Sequence, residues 1–280
     1  MFQITRKQSF NEDTFLLEFH LASIAERARP GNYVDIHLNP DARPITLPVV
    51  GVDKDAGTFA VVEQARDLPT EQLMVLTQSE EVFQIRGPLG VACDFNADGK
   101  VALMAEDLGV ASLLWRAQEY RAAGAHVIVI LGFASKDRVF WQDEFGSVAS
   151  ELYIATLDGS FGITGRVTGV LQAVCETHKD IERIVMIARL KQMKRAAKIA
   201  ADSGIEARLS FDAMRFPAGS PGVFDATDRA QESFEFARAA ELNADDVDFD
   251  KLIAREKALG SLDGAANKEE GDAENAARAT

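Results

Sequence analysis

Residues 101–112 of this chain read Val-Ala-Leu-Met-Ala-Glu-Asp-Leu-Gly-Val-Ala-Ser. The apolar residues Val101–Met104 predict a buried strand, and Gly109 begins a stretch with the pattern of a helix. In an α/β domain, nucleotide phosphates bind at such a turn, because small residues let the backbone approach and the helix start carries partial positive charge. This turn instead carries Glu106 and Asp107, and two carboxylates repel a pyrophosphate.

The alternation of strand and helix continues after this turn as far as residue 210. The predicted strands are Val101–Met104, His126–Leu131, Leu152–Thr156, Arg183–Ile187 and Glu206–Ser210. The predicted helices between them are Gly109–Ala123, a segment around Phe140–Ser150, Thr168–Thr177 and Lys191–Ser203. Alternating elements of this length predict a doubly wound parallel sheet, which we assign to residues 98–210 as a nucleotide-binding-like domain.

Residues 1–97 have a different pattern, with short strands separated by turn signals such as Pro30-Gly31. The predicted strands are Phe2–Ser9, Thr14–Leu21, Tyr33–Leu38, Ile45–Val52, Thr58–Gln64 and Val82–Ile85, and one short helix fits at Pro69–Leu76. Several of these strands alternate apolar and polar residues with a period of two. Six short antiparallel strands predict a small closed β-barrel.

The end of the chain departs from both patterns. Residues 211–245 have no clear periodicity, and Val247–Leu259 predicts a short amphipathic helix. Residues 260–280 contain almost no large apolar side chain, which predicts a disordered acidic tail.

Composition excludes several classes of function. A net charge of -14 argues against nucleic acid and anionic membranes as partners, because both require a basic surface. No apolar run approaches the roughly 20 residues that span a bilayer, and the N-terminus has no signal-peptide core, so we expect a cytoplasmic protein without membrane insertion. The two cysteines, Cys93 and Cys175, are far apart and the four histidines are scattered, so no metal site is predicted.

Four motifs occur in an informative order: Pro30-Gly31-Asn-Tyr33-Val34, Arg43-Pro44-Ile45-Thr46-Leu47, Gly87-Pro88-Leu89-Gly90, and Asp158-Gly159-Ser160-Phe161-Gly162. Together with the barrel-then-α/β layout, they resemble the ferredoxin–NADP reductase superfamily. The most similar branch contains the electron-transfer subunit of dihydroorotate dehydrogenase and the small subunits of NADH-dependent ferredoxin:NADP oxidoreductase and sulfide dehydrogenase. The resemblance runs from about Phe2 to Leu259.

The resemblance implies an FAD site on the barrel. Arg43 and Thr46 match the family's Arg-x-x-[Ser/Thr] motif, in which the arginine pairs with the pyrophosphate and the hydroxyl lies near the isoalloxazine ring. Thr70, at the start of the short helix, is a candidate second contact, although Asp67 stands where the family usually has a glycine-rich turn. The structural alternatives are a solvated arginine, a strand threonine and a plain helix residue. The full predicted FAD site is Arg43, Pro44, Ile45, Thr46, Thr70, Gly87, Leu89 and Gly90.

The nucleotide site departs from the family. Its first turn is Gly-Gly-Gly-x-Gly-x-Ala-Pro in the family, and here only Gly109 and Ala111 remain; a later Gly-Pro turn has become Ala188-Arg189. NAD(P)H binding is therefore predicted to be impaired, with Glu106 and Asp107 alternatively acting as helix caps. The predicted degenerate site is Glu106, Asp107, Gly109, Asp158, Gly159 and Ser160.

The iron–sulfur region departs as well. In this branch, a C-terminal segment carries four cysteines that bind a [2Fe–2S] cluster. The corresponding residues 211–259 contain no cysteine, and Arg238 stands at the last cysteine position. Carbon and guanidinium groups do not bind iron as thiolates do, so no cluster is predicted.

Three hypotheses follow. The first is an FAD-binding electron-transfer subunit that pairs with a larger flavoprotein or iron–sulfur oxidoreductase subunit, with no catalytic residue of its own assigned. The second is a catalytically degenerate structural or regulatory subunit that docks on such a partner. The third is an NAD(P)H-dependent reductase that uses an altered nucleotide loop.

Overall fold

The computed structural model describes residues 1–95, 99–210 and 242–254. Seven strands in the first of these ranges form a nearly closed antiparallel barrel with the order β6-β1-β2-β5-β4-β3-β7. Its strands are β1 Phe2–Ser9, β2 Thr14–His20, β3 Tyr33–His37, β4 Ile45–Asp53, β5 Thr58–Gln64, β6 Glu81–Val82 and β7 Gln84–Leu89. Only Phe83 separates the two edge strands, so the chain itself joins the two ends of the sheet.

The barrel confirms the predicted architecture, with two differences in its elements. The predicted strand Val82–Ile85 is divided, because Val82 pairs with β1 while Ile85 pairs with β3 on the opposite edge. Helix α1, Ala22–Arg27, was not predicted, since its six residues are too few for a helical period to show. Helix α2, Leu68–Val75, lies within one residue of its prediction.

A second seven-stranded sheet has the order β11-β10-β9-β8-β12-β13-β14. Its strands are β8 Lys100–Glu106, β9 His126–Phe133, β10 Glu151–Thr156, β11 Ile163–Thr164, β12 Ile181–Ile187, β13 Glu206–Leu209 and β14 Leu242–Asn243. The helices are α3 Gly109–Ala122, α4 Gln142–Val148, α5 Val167–Thr177 and α6 Leu190–Asp202. All pairings are parallel except β13 with β14. The predicted parallel sheet is confirmed, and only the two-residue strands β11 and β14 were missed.

The apolar run in β8 is explained by burial on both faces. Val101, Leu103 and Ala105 belong to one core cluster together with α3, whereas Ala102 and Met104 belong to another together with α5 and α6. A strand covered by helices on both sides is apolar at successive positions instead of alternating. This arrangement also places β8 between β9 and β12, where the strand order reverses and a crevice opens at the carboxyl ends of the strands.

The barrel and the α/β sheet share one of three buried clusters; a second consists almost entirely of barrel residues and a third lies within the α/β part. Barrel residues Leu16, Val50 and Val62 belong to the same buried cluster as α3. Phe10 stacks on Phe140 with ring centroids 4.8 Å apart. Next to this stack, Arg138 donates to Asp13 and Glu12, with N–O distances of 2.5 and 3.0 Å.

Much of the predicted C-terminal segment and all of the predicted tail, residues 260–280, lie outside the described residues. Within 242–254, residues 249–254 are helical, so the helix predicted over Val247–Leu259 begins two residues later than expected. In the described ranges, no helix is both long and apolar enough to cross a membrane.

Candidate functional site

A cleft of about 310 Å³ opens at the carboxyl edge of the parallel sheet, between the turns that follow β8, β9 and β12. Helices α3, α5 and α6 begin around it. Their N-cap residues are Leu108, Arg166 and Arg189, and in the described part of the chain none of these starts has a side-chain cap. Helix starts carry partial positive charge. Two of the three start residues are arginines, which add to that charge. The cleft is therefore a place where an anion is stabilised.

The anion present in the cleft is a side chain of the protein itself. The Oδ2 atom of Asp107 accepts a hydrogen bond from Nη2 of Arg189, with an N–O distance of 2.7 Å. The backbone N–H of Asp107 donates to the carbonyl of Gly132 at 2.9 Å. Asp107 has a φ of 49°, in the left-handed region that favours glycine. The two altered turns of the sequence are thus joined in one ion pair across the switch point.

Glu106 lies deeper in the same cleft. Burial and the neighbouring Asp107 carboxylate raise its pKa to about 7, while Arg189 and Arg166 act in the opposite direction. Near neutral pH the carboxyl group is therefore protonated in part of the molecules. The sequence predicted two carboxylates that repel a pyrophosphate, with helix capping as the alternative; in the structure Asp107 is paired with Arg189, and Glu106 is partly protonated near neutral pH.

Gly109 is required by packing. A Cβ atom at this position would lie 2.5 Å from the carbonyl oxygen of Ile187, at the end of β12. The start of α3 therefore approaches β12 more closely than any side chain permits. The survival of this glycine from the family motif is explained without a bound nucleotide, and α3 has no side-chain cap from Glu106 or Asp107.

Asp158, Gly159 and Ser160 form a turn after β10 that satisfies its own polar groups. The Asp158 carboxylate accepts from the hydroxyl and the backbone N–H of Ser160, which lowers the pKa of that carboxyl. The Ser160 hydroxyl in turn accepts from the backbone N–H of Lys136 at 2.8 Å. At this point the wall of the cleft is formed by Leu157 and Gly165.

On the barrel, the predicted flavin residues divide into exposed and buried groups. Arg43 and Pro44 are exposed ahead of β4, whereas Ile45 points into the barrel core. The Thr46 hydroxyl donates to Oδ1 of Asp35 on the paired strand β3 at 2.6 Å. Arg43 makes no hydrogen bond or ion pair within residues 1–95, 99–210 and 242–254.

The predicted residues of β7 are held by the loop that precedes β3. The Asn32 amide donates to the carbonyls of Leu89 and Gly90 at 3.2 and 3.3 Å. Gly90 has a φ of 79°, and a Cβ atom there would lie 2.6 Å from the Tyr33 ring. Two of the quoted motifs therefore pack on each other. The Gly87-Pro88 peptide bond in this segment is cis.

Thr70 forms part of a capping box at the start of α2. The Asp67 carboxylate accepts from the Thr70 backbone N–H at 3.0 Å, and the Thr70 hydroxyl accepts from the Asp67 backbone N–H at 3.1 Å. Thr70 is completely buried. A carboxylate thus occupies the helix start at which Thr70 was predicted as a candidate flavin contact. This geometry favours the structural alternative for Thr70.

No family model matches the chain. The dihydroorotate dehydrogenase B (NAD(+)) electron transfer subunit of Geobacillus thermodenitrificans is 30% identical over 175 residues, which cover 60% of this chain and 67% of that protein. A homologue of this subunit in Thermotoga maritima is 27% identical over 254 residues, covering 90% and 89% of the two chains.

A solved structure with a TM-score of 0.82 covers 96% of this chain and 97% of its own at 23% identity. It is described as an NADH-dependent reduced ferredoxin–NADP oxidoreductase that carries out flavin-based electron bifurcation. The chain belongs to the ferredoxin reductase-like superfamily. Its relatives in that superfamily are named as electron-transfer subunits, so the general role indicated is electron transfer within an oxidoreductase of more than one subunit.

The sequence by itself did not reveal the partners of the site residues. It did not connect Asp107 with Arg189, which are 82 positions apart. The available signal was that both residues follow strands that become neighbours at the switch point. It also missed Arg166, Asp35 and the cap that Asp67 provides. In the described ranges, no group of three or more His, Cys, Asp or Glu side chains is placed to hold a metal ion.

Proposed function

We propose that this chain is an electron-transfer subunit that binds FAD on its barrel and docks on a larger flavoprotein or iron–sulfur subunit. In this proposal it has no [2Fe–2S] cluster of its own, and its NAD(P)H binding is impaired. The observation that carries the proposal is Arg43, an exposed arginine without an acidic partner in the described residues, located ahead of Thr46 on β4.

Arg43 is suited to bind a phosphate group. The chain contains 44 acidic and 30 basic side chains, so an arginine that pairs with none of the described carboxylates is available to a ligand. A guanidinium group donates two parallel hydrogen bonds to phosphate oxygens. A bound flavin would supply the redox chemistry, and this chain would hold and orient it. Thr46 lies three residues further along the chain, in β4, with its hydroxyl directed at Asp35.

In this proposal, the partner subunit supplies the redox groups that this chain does not hold. Two cysteines in the whole sequence are too few for a four-cysteine cluster, so electrons would reach or leave the flavin through groups of another subunit. The paired Asp107 in the cleft supports a donor or acceptor other than NAD(P)H bound in the usual way.

The test is FAD binding by the full chain and by an Arg43→Ala variant. We expect the wild-type protein to be yellow after incubation with excess FAD and removal of the free flavin. Loss of the charged hydrogen bonds costs about 2 kcal/mol, so the variant should bind FAD roughly 30-fold more weakly. Arg195→Ala, which removes an exposed arginine on α6, is the matched control and should bind normally. A wild-type chain that takes up no FAD contradicts the proposal.

A second candidate, a structural subunit without redox function, is favoured by a specific observation. The start of α2 is closed by the Asp67 carboxylate, which counts against a phosphate at that position. Purification of the native complex separates the two candidates. If the Arg43→Ala complex assembles and retains full activity, and the chain contains no flavin, the structural role is supported.

A further inference from the structure

Helix starts and basic side chains make the walls of the cleft at the switch point positive, but the cleft also contains the acidic side chains of Glu106 and Asp107. We propose that Asp107 is a built-in anionic occupant of this cleft: held on Arg189, it takes the place of a phosphate and closes the cleft to dinucleotides. This inference deepens the proposed function, because it names the contact that impairs nucleotide binding. It predicts that a single substitution opens the site.

The positive charge of the cleft comes from several elements. The starts of α3, α5 and α6 meet there, and Arg166 and Arg189 occupy the start positions of α5 and α6. Lys191, in the first turn of α6, also lines the cleft. Cations at helix starts are unfavourable because both carry positive charge, so an anion nearby is stabilised by this arrangement. Asp107 forms an ion pair with Arg189, and no other carboxylate of the described residues pairs with Arg189 or Arg166.

Asp107 is held by one hydrogen bond from its backbone and one to its side chain, and the Arg189 side chain that binds its carboxylate is 78% exposed. Its carboxylate is bound to Arg189 at 2.7 Å, and its backbone N–H is bound to the carbonyl of Gly132. The left-handed backbone conformation is unfavourable for a residue with a side chain and would be relaxed by glycine. The turn therefore keeps a glycine conformation while carrying a carboxylate, and the carboxylate blocks the guanidinium that a phosphate would use.

Glu106 makes the charge of the cleft depend on pH. It faces Asp107 on its own turn, Arg189 on the β12–α6 turn and Arg166 at the start of α5, and its pKa is raised to about 7. Below that value the carboxyl is mostly neutral, and the charges of Arg166, Arg189 and Lys191 exceed that of Asp107. Above it, a second carboxylate reduces the attraction for anions.

The test compares NADH binding by the wild-type chain, Asp107→Gly and the double variant Asp107→Gly/Arg189→Ala. Removing the carboxylate frees Arg189, so we expect the single variant to bind NADH at least about tenfold more tightly than the wild type. The double variant should lose that gain. Binding is followed by NADH fluorescence, with ADP as competitor. Asp55→Gly, an exposed carboxylate in the β4–β5 turn, makes the same change in net charge and should leave NADH binding unchanged.

Several results would overturn the inference. One is a wild-type chain that already binds NADH as tightly as Asp107→Gly; another is a double variant that binds as well as the single variant. A third is that neither Asp107→Gly nor Asp107→Asn binds NADH although both variants are folded. FAD content is measured in the same preparations: a chain without FAD that still gains NADH binding would reject the proposed flavin site and keep this inference.

The pH dependence provides a further check. In the Asp107→Gly variant, burial still raises the pKa of Glu106, but by less than in the wild type because the Asp107 charge is gone. NADH should therefore bind more tightly at pH 5 than at pH 8, because Glu106 is protonated at the acidic end of this range. Adding Glu106→Gln should make the affinity nearly independent of pH in this range. A steep dependence that persists in that variant would contradict the role given to Glu106.

Discussion

Glu106 is an acid whose surroundings oppose its ionisation. Burial and Asp107 raise the pKa of its carboxyl to about 7 from an ordinary value of 4.5, and the two arginines only partly compensate. The folded chain therefore holds a proton that the unfolded chain releases between these two pH values. Its contribution to stability is fully present below about pH 4.5 and is lost as the pH rises through about 7.

We predict that Glu106→Gln removes this pH dependence. Between pH 5 and pH 8, the wild-type free energy of unfolding should fall relative to that of the variant by about 2 kcal/mol, because glutamine binds no proton in either state. Urea denaturation at the two pH values measures the difference. Glu144→Gln, an exposed acid on α4, serves as control and should follow the wild type. If the free energy of unfolding changes by the same amount between the two pH values in all three proteins, the pKa of Glu106 is not raised.

At the scale of elements, helix α3 packs so closely on β12 that only glycine fits at position 109. The space beside Gly109 is filled by the Ile187 carbonyl oxygen, a backbone atom that cannot turn aside. Gly132 is comparable, since a Cβ atom there would lie 2.3 Å from a methyl group of Val167 at the start of α5. The start of α3 therefore lies directly against β12, and the start of α5 lies directly against β9.

Alanine substitutions test this packing directly. Gly109→Ala should destabilise the chain by roughly 1–3 kcal/mol, since α3 must move away from β12. Gly169→Ala is the matched control, because it lies exposed in α5 with no atom within 4 Å of the new Cβ. It should stabilise by about 0.5–1 kcal/mol through helix propensity. Chemical denaturation of both variants gives the comparison, and a neutral Gly109→Ala would show that the contact is loose.

At the scale of the whole molecule, the barrel and the α/β sheet are held together by polar and apolar contacts. Burial alone would raise the pKa of Asp13, but hydrogen bonds from Arg138, Gln64 and Thr14 outweigh it and hold that pKa below its usual value. Leu16 and Val62 of the barrel share a core with α3. Because this core is continuous, we expect the two parts to unfold together.

Arg138→Ala tests the junction. It should lower the free energy of unfolding by about 1–2 kcal/mol, because Asp13 loses the cation that stabilises its charged form. That stabilisation is present above the ordinary pKa of Asp13 and is lost on acidification, so wild type and variant should converge at low pH. Calorimetry should show one transition for both proteins. Arg6→Ala, which breaks the exposed Arg6–Glu18 pair within the barrel, should change stability by less than about 0.5 kcal/mol.

The class of each sheet followed from the sequence because it depends on neighbouring residues. Alternation with a period of two predicted the barrel strands, and the unbroken apolar run at Val101–Met104 predicted a buried strand. The motif around Arg43 and Thr46 came instead from the resemblance to the family's Arg-x-x-[Ser/Thr] motif, and its role in binding FAD stays a prediction. The capping box at Asp67 and Thr70 was not predicted, although its two residues lie only three positions apart in the sequence.

What the tertiary structure alone decided is the state of the charges in the cleft. In the sequence, Glu106 and Asp107 look like two carboxylates that repel a phosphate, because Arg166 and Arg189 lie in distant segments of the chain. Their interaction depends on the strand order, which brings the end of β12 beside the end of β8 and the start of α5 across from them. Electrostatic energy depends on distance in space and on burial, and neither is encoded in the separation of residues along the chain.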